Sequence, residues 1–263
     1  MIENEMDEQQ KDVVRRMSEH NQRFLTPISK VITHDHGELL GSGAFIEIEG
    51  EKLIITNEHV GRKMAKRSLA HQFNGSDSVV RVASFCADKY PVDVAIAPIS
   101  ETVWSVCEHS AECISMDKFA ESHNPVSGEL LYFSGYPDER SAFCFGTLFT
   151  VGIPYATQEI DFPPTAEHDP LVHFALPYPY ERDLAVSVDG ATRGLPSPPG
   201  MSGSLVWNTR YAECVQKGEV WSPEKARVTG VVCRWFPDEE CLLATRVEYM
   251  SHKEMAQALR EEH

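Results

Sequence analysis

Residues 43–49 (Gly-Ala-Phe-Ile-Glu-Ile-Glu) alternate apolar and polar positions, Gly50 permits a tight turn, and residues 52–56 return as an apolar run. That pattern predicts a β-hairpin. Further short apolar runs at 94–99 and 205–207 predict strands, and turn residues separate such strands from about Ile28 to Ile114 and again from about 128 to 249. Residues 8–24 differ: Val13, Val14, Met17 and Phe24 recur near helical spacing, which predicts an amphipathic helix outside the sheets. Met250, Met255, Ala258 and Leu259 recur among charges and predict a C-terminal helix. The expected organisation is a helical extension over 1–27, a β domain over 28–249 in two halves (28–114 and 128–249) joined by a polar crossing at 115–127, and a helix over 250–263. Prolines crowd 154–199, where they break regular pairing and stiffen loops. Such a stretch shapes or gates a cleft, or is a long structural insertion.

Composition narrows the class. With 263 residues and 42% hydrophobic content the chain can bury a large core. No apolar stretch approaches the ~20 residues that span a bilayer, so no membrane association is expected. The acidic start, residues 1–8, lacks the basic-then-apolar pattern of a secretory signal, and a cytoplasmic location is expected. Seven cysteines without regular spacing agree with reduced thiols. Cys107 and Cys113 lack a second pair at zinc-like spacing, so neither metal nor cofactor is expected. A net charge of −16 opposes nucleic-acid binding. The one basic cluster, residues 62–67, reads as a solvated helix face, while the acidic surface suits a basic protein substrate.

Three residues carry candidate chemistry. His59 lies just past the predicted hairpin, where a rigid sheet holds an imidazole at a rim. A plain surface histidine is the competing reading. Asp93 stands where a loop enters the strand at 94–99, which suits a carboxylate that orients a base; an ordinary strand-start Asp is the alternative. Ser202 lies between Gly200 and Gly203, and glycines let a backbone curl so that the N–H groups of Gly200 and Ser202 face one point. A serine becomes a nucleophile when a base touches its hydroxyl and an acid orients that base.

The His59, Asp93, Ser202 order and the run Gly200-Met201-Ser202-Gly203-Ser204 resemble the trypsin-like (chymotrypsin-fold) serine peptidases, especially their bacterial and intracellular branch. Phe133-Ser134-Gly135-Tyr136-Pro137, Val228-Thr229-Gly230-Val231-Val232 and Leu243-Ala244-Thr245-Arg246-Val247 resemble second-barrel strands of that family, so the resemblance spans about 28–250. It implies an all-β fold of two six-stranded antiparallel barrels, with terminal helices added. It also implies that His59 is the general base, Asp93 orients it, Ser202 attacks a protein or peptide substrate, and Gly200 and Ser202 form an oxyanion hole.

Two departures matter. Met201 replaces the family's Asp that pairs with a freshly cut N-terminus, and the Ile-Val-Gly-Gly start is missing, so control through a regulatory partner or substrate presentation is expected rather than zymogen cleavage. Alignment places Pro196 at the base of the specificity pocket and Cys233, Arg234 and Trp235 on its wall. No acid stands there to receive Lys or Arg, and Arg234 or Arg193 would favour an acidic side chain. An α/β-hydrolase is disfavoured, because Gly-x-Ser-x-Gly needs glycine where Ser204 stands. The other reading is a catalytically silent module of this fold that binds peptides or partner proteins.

Overall fold

The computed structural model describes residues 8–33, 36–62, 69–82, 84–144, 147–164, 167–180, 185–186 and 192–261. His34, Asp35 and residues 63–67 of the basic cluster lie outside these. The first sheet contains β1 (Leu25–Thr33), β2 (His36–Ile48), β3 (Glu51–Thr56), β4 (Leu69–Gln72), β5 (Val79–Arg81), β6 (Cys86–Asp88), β7 (Val94–Pro98) and β8 (Ile114–Ser115). Its order is β5-β4-β1-β2-β3-β7-β6, with β8 parallel to β2 and every other pair antiparallel. The hairpin expected at 43–56 is β2–β3, and its turn residues Glu49 and Gly50 take φ of 53° and 85°. Both central residues with positive φ match the right-handed twist of the flanking strands.

In the second half, β9 (Leu131–Gly135), β10 (Ser141–Cys144), β11 (Thr147–Thr150), β12 (Ile153–Thr157), β13 (His173–Pro177), β14 (Ala185–Val186), β15 (Thr192–Arg193), β16 (Leu205–Asn208), β17 (Arg227–Phe236) and β18 (Cys241–Arg246) follow. Six of them form one antiparallel sheet in the order β12-β9-β16-β17-β18-β13. The proline-dense segment supplies both of its edge strands, with Pro154 in β12 and Pro177 ending β13. An edge tolerates a residue without an N–H, so these prolines sit where a ladder can spare a donor.

Alternation along the strands divides the core. Phe45, Ile54 and Ile28 fill the inside of the first sheet, whereas their neighbours Ala44, Ile46, Leu53 and Ile55 belong to a cluster shared with Tyr132, Leu205 and Trp207 of the second. Leu131, Phe133 and Val206 face the other way, into the second sheet's own interior. Both faces of the central strands are therefore buried, which explains why the sequence runs are apolar rather than strictly alternating. Helix α1 (Glu8–Asn21) docks on the shared cluster through Val13, Val14 and Met17, and Arg16 lies 5.0 Å from the Trp221 ring centroid. After the short helices α2 (Glu58–Gly61), α3 (Glu101–Val106) and α4 (Tyr211–Lys217), α5 (His252–Glu261) covers the same cluster with Met255, Ala256 and Leu259.

Burial holds four histidines neutral. His71 is pushed down to about 3 and His252 to about 4, and His20 and His173 move in the same direction, each because burial penalises the charged ring. An unfolded chain takes up these protons below about 6.5, whereas the folded chain refuses them until lower pH. Stability is therefore complete at neutral pH and falls as pH drops through about 6.5 toward 4. Urea-unfolding midpoints at pH 7.5, 6 and 5 should decline in that order; equal midpoints would refute this account.

Candidate active site

The hairpin strand β3 delivers the chain into α2, and His59 occupies its second residue, half-buried at the end of the sheet. The His59 N–H donates to Asp93 Oδ1 at 2.9 Å, and ring Nδ1 donates to Oδ2 at 2.6 Å. One carboxylate thus fixes both the backbone position and the ring of the same residue. With the Nδ1 proton held there, Nε2 is left bare and able to accept a proton.

Asp93 is buried, and its φ of 51° turns the carboxylate back toward α2 just before β7 begins. Three successive carbonyls hold this turn. Pro91 O accepts from His173 Nε2 at 2.8 Å, Val92 O from Thr245 Oγ1 at 2.8 Å, and Asp93 O from Asn57 Nδ2 at 2.7 Å. The Asp169 N–H donates to His173 Nδ1 at 3.0 Å, which places that ring's proton on Nε2. Two of the three donors come from the second sheet. Cys233 lies close on the same side: burial, reinforced by the Asp93 carboxylate, pushes its thiol up to about 12. It is a packing group rather than a thiolate.

The loop preceding β16 is tied down on one side. Asp138 N–H donates to Pro199 O at 2.8 Å, Ser42 Oγ to Gly200 O at 2.8 Å, and Ser42 N–H to Ser202 O at 2.7 Å. Met201 O accepts from Ser204 N–H at 3.1 Å and Ser204 Oγ at 2.7 Å. With these carbonyls turned away, the Gly200 and Ser202 amides have no partner among the described residues, and neither has the Ser202 hydroxyl. A methyl group on Gly41 would lie 2.8 Å from Val60 and 3.0 Å from Ser202 O, so the serine loop rests beside the helix that carries His59.

Met201 is buried among Leu195, Tyr178 and Val232, an apolar anchor in the middle of the loop. Gly200 and Gly203 have φ of 97° and 92°. A methyl on Gly203 would come 2.0 Å from Ser42 O and 2.5 Å from Thr56 Oγ1. Gly203→Ala must therefore displace backbone as well as strain φ, and a loss of roughly 3 kcal/mol or more is expected in chemical unfolding. A loss under about 1 kcal/mol would show that the loop yields.

The other expected pocket residues separate. Pro196 is buried, with its carbonyl accepting from Tyr178 Oη at 2.8 Å, and Trp235 packs edge-on to Tyr180 beside the cluster that holds Met201. Cys233 packs instead with Ala175 and Leu243, past a register shift between Val232 and Arg234. Arg234 is exposed, 5.0 Å from the Tyr90 ring centroid and 3.4 Å from a Glu167 oxygen. The Arg193 side chain lies outside the described residues. Among the described residues no three His, Cys, Asp or Glu side chains gather as a metal site, and no helix is long and apolar enough to cross a membrane.

Sequence reasoning missed Ser42, Asn57, His173 and Thr245. Asn57 stands two residues before His59 and Ser42 between two glycines, signals that were visible; His173 and Thr245 have none locally.

A thermostable serine protease, AL20 from an extremophilic microorganism, is similar over 90% of this chain and 97% of its own, at 9% identity and a TM-score of 0.51. This is the chymotrypsin-like double-barrel fold. An inactive mutant of Rv3671c from M. tuberculosis H37Rv aligns over 93% of both chains at 15% identity and TM-score 0.49. The MamO protease domain from Magnetospirillum magneticum aligns over 92% of this chain and 96% of its own, at 12% identity and TM-score 0.48. No protein-family model and no curated protein matches this sequence.

Proposed function

We propose that this chain is a serine endopeptidase acting on a protein or peptide substrate. The observation that carries the reading is the His59–Asp93 pair, bonded through both backbone and ring, beside a loop whose Gly200 and Ser202 amides are open. Ser202 Oγ attacks the scissile carbonyl carbon while its proton passes to His59 Nε2. The developing oxyanion receives hydrogen bonds from the Gly200 and Ser202 amides. The intermediate collapses, the amine leaves with the proton from His59, and water then releases the acyl group by the same route. Asp93 keeps the ring in the tautomer this needs and stabilises it when charged. Side chains and backbone amides carry every step.

Pro196 and Trp235, in contact with the Met201 cluster, are the residues that border a primary specificity pocket in this reading. Met201 anchors its loop by apolar packing, which supports a loop shaped without a new N-terminus and control by a partner or by substrate presentation. A reducing, cytoplasmic setting fits Cys86, Cys107, Cys113, Cys214, Cys233 and Cys241, which stand outside any disulfide.

A silent peptide-binding module is the second reading, favoured by the absence of a hydrogen bond on the Ser202 hydroxyl among the described residues. A catalytic serine in an unliganded site often tightens onto its base when substrate arrives. Treatment with a fluorophosphonate, followed by intact mass and peptide mapping, tests the choice. A single adduct on Ser202 supports the peptidase; no adduct leaves the silent module standing.

A further inference from the structure

Ser42 is fully buried on β2, between Gly41 and Gly43, and every polar atom it has is used. Its N–H donates to Ser202 O at 2.7 Å and its hydroxyl to Gly200 O at 2.8 Å; the hydroxyl oxygen accepts from Tyr136 N–H at 2.8 Å, and its carbonyl from Thr56 Oγ1 at 2.7 Å. The strand around it explains why these groups are available. Pro27 is the residue opposite Ser42 on β1 and has no N–H to offer, and pairing with β3 starts only at Ala44. The Ser42 peptide groups are thereby released from the sheet ladders and turned toward the serine loop. Gly135 keeps space for this: a methyl there would lie 2.8 Å from Ser42 Oγ and 2.1 Å from Ser204 Oγ.

We propose that Ser42 is a positioning residue that clamps the loop on either side of Met201 and keeps the Gly200 and Ser202 amides open. The proposal rests on the serine endopeptidase reading. Gly200 and Gly203 allow their peptides to rotate freely, and rotation would bring a carbonyl where an amide is needed. Ser42 opposes that rotation by holding both carbonyls from the first sheet. The same hydroxyl accepts from Tyr136, and the neighbouring Asp138 amide holds Pro199 O, so one side chain joins three segments around the site.

The test compares the wild-type chain with Ser42→Ala in two measurements: the second-order rate of fluorophosphonate labelling at Ser202, and amide hydrogen exchange at Met201 and Gly203, whose N–H groups donate to Pro198 O and Val232 O, and at Tyr136. The expected result is labelling about 10- to 100-fold slower, because displacement on the ångström scale costs that much, together with faster exchange at those amides. The global unfolding midpoint should fall, since the buried Tyr136 N–H loses its partner, but the transition should stay cooperative and the variant folded at the labelling temperature, which separates positioning from a folding defect. Ser42→Cys keeps a polar atom at the γ position as a weaker donor and supplies the same comparison where Ser42→Ala does not fold. Equal labelling rates, or unchanged exchange at Met201 and Gly203, would overturn the proposal. Should the wild-type chain itself take no label, the endopeptidase reading fails, and the clamp is then upheld by faster exchange in the variant or overturned by unchanged exchange.

Discussion

Ser202→Ala should lower turnover of an internally quenched peptide that the wild-type chain cleaves by about a million-fold, and His59→Ala by a similar factor. The double variant should be no worse than about either single one. In the proposed mechanism Ser202 and His59 act in one proton transfer, so once the nucleophile is lost the base has nothing to deprotonate, and the reverse holds equally. What survives would come from the Gly200 and Ser202 amides and from substrate binding, neither of which these changes touch. Losses that simply multiply in the double variant would show that the two residues do not share a step.

Asp93→Asn should cost about ten-thousand-fold in kcat, although it only exchanges one carboxylate oxygen for an NH2 group of nearly the same size. The reason lies in the two bonds from His59. The backbone N–H of His59 is always a donor, so the Asn carbonyl oxygen must turn to it in place of Oδ1. The new NH2 group then faces Nδ1 in place of Oδ2 and forces that nitrogen to accept. The ring proton moves to Nε2, and the atom that takes the serine proton in the proposed mechanism can then no longer accept it. Since Asn57, His173 and Thr245 still hold the turn, unfolding midpoints should change far less than kcat, and a parallel collapse of both would contradict this mechanism.

The features legible in the sequence are those whose causes are local. Alternation and a glycine turn predicted the β2–β3 hairpin, and His59 follows it by chain connectivity. Asp93 at a strand entry and Ser202 between glycines are likewise short-range patterns, and the structure joins the first to His59. Spacing within 8–24 predicted a helix but not the surface it covers, because Trp221 and Trp207 lie far along the chain. The local chemistry of the proline-dense segment predicts interrupted pairing. Its two edge strands depend on partners β9 and β18, which no window of sequence contains. The supports of the site were hidden for the same reason. Ser42 reaches Gly200 across 158 positions, Thr245 reaches Val92 across 153, and His173 reaches Pro91 across 82.

His59 and Asp93 both belong to the first half of the chain, yet two of the three carbonyls that shape the Asp93 turn are held by His173 and Thr245 from the second. Ser42 sends the opposite support, from the first half to the serine loop of the second. Each half is thus the other's scaffold. A chain cut between the two sheets would separate the Asp93 turn from His173 and Thr245 and the serine loop from Ser42, so the order of each loop would report whether the two pieces are associated.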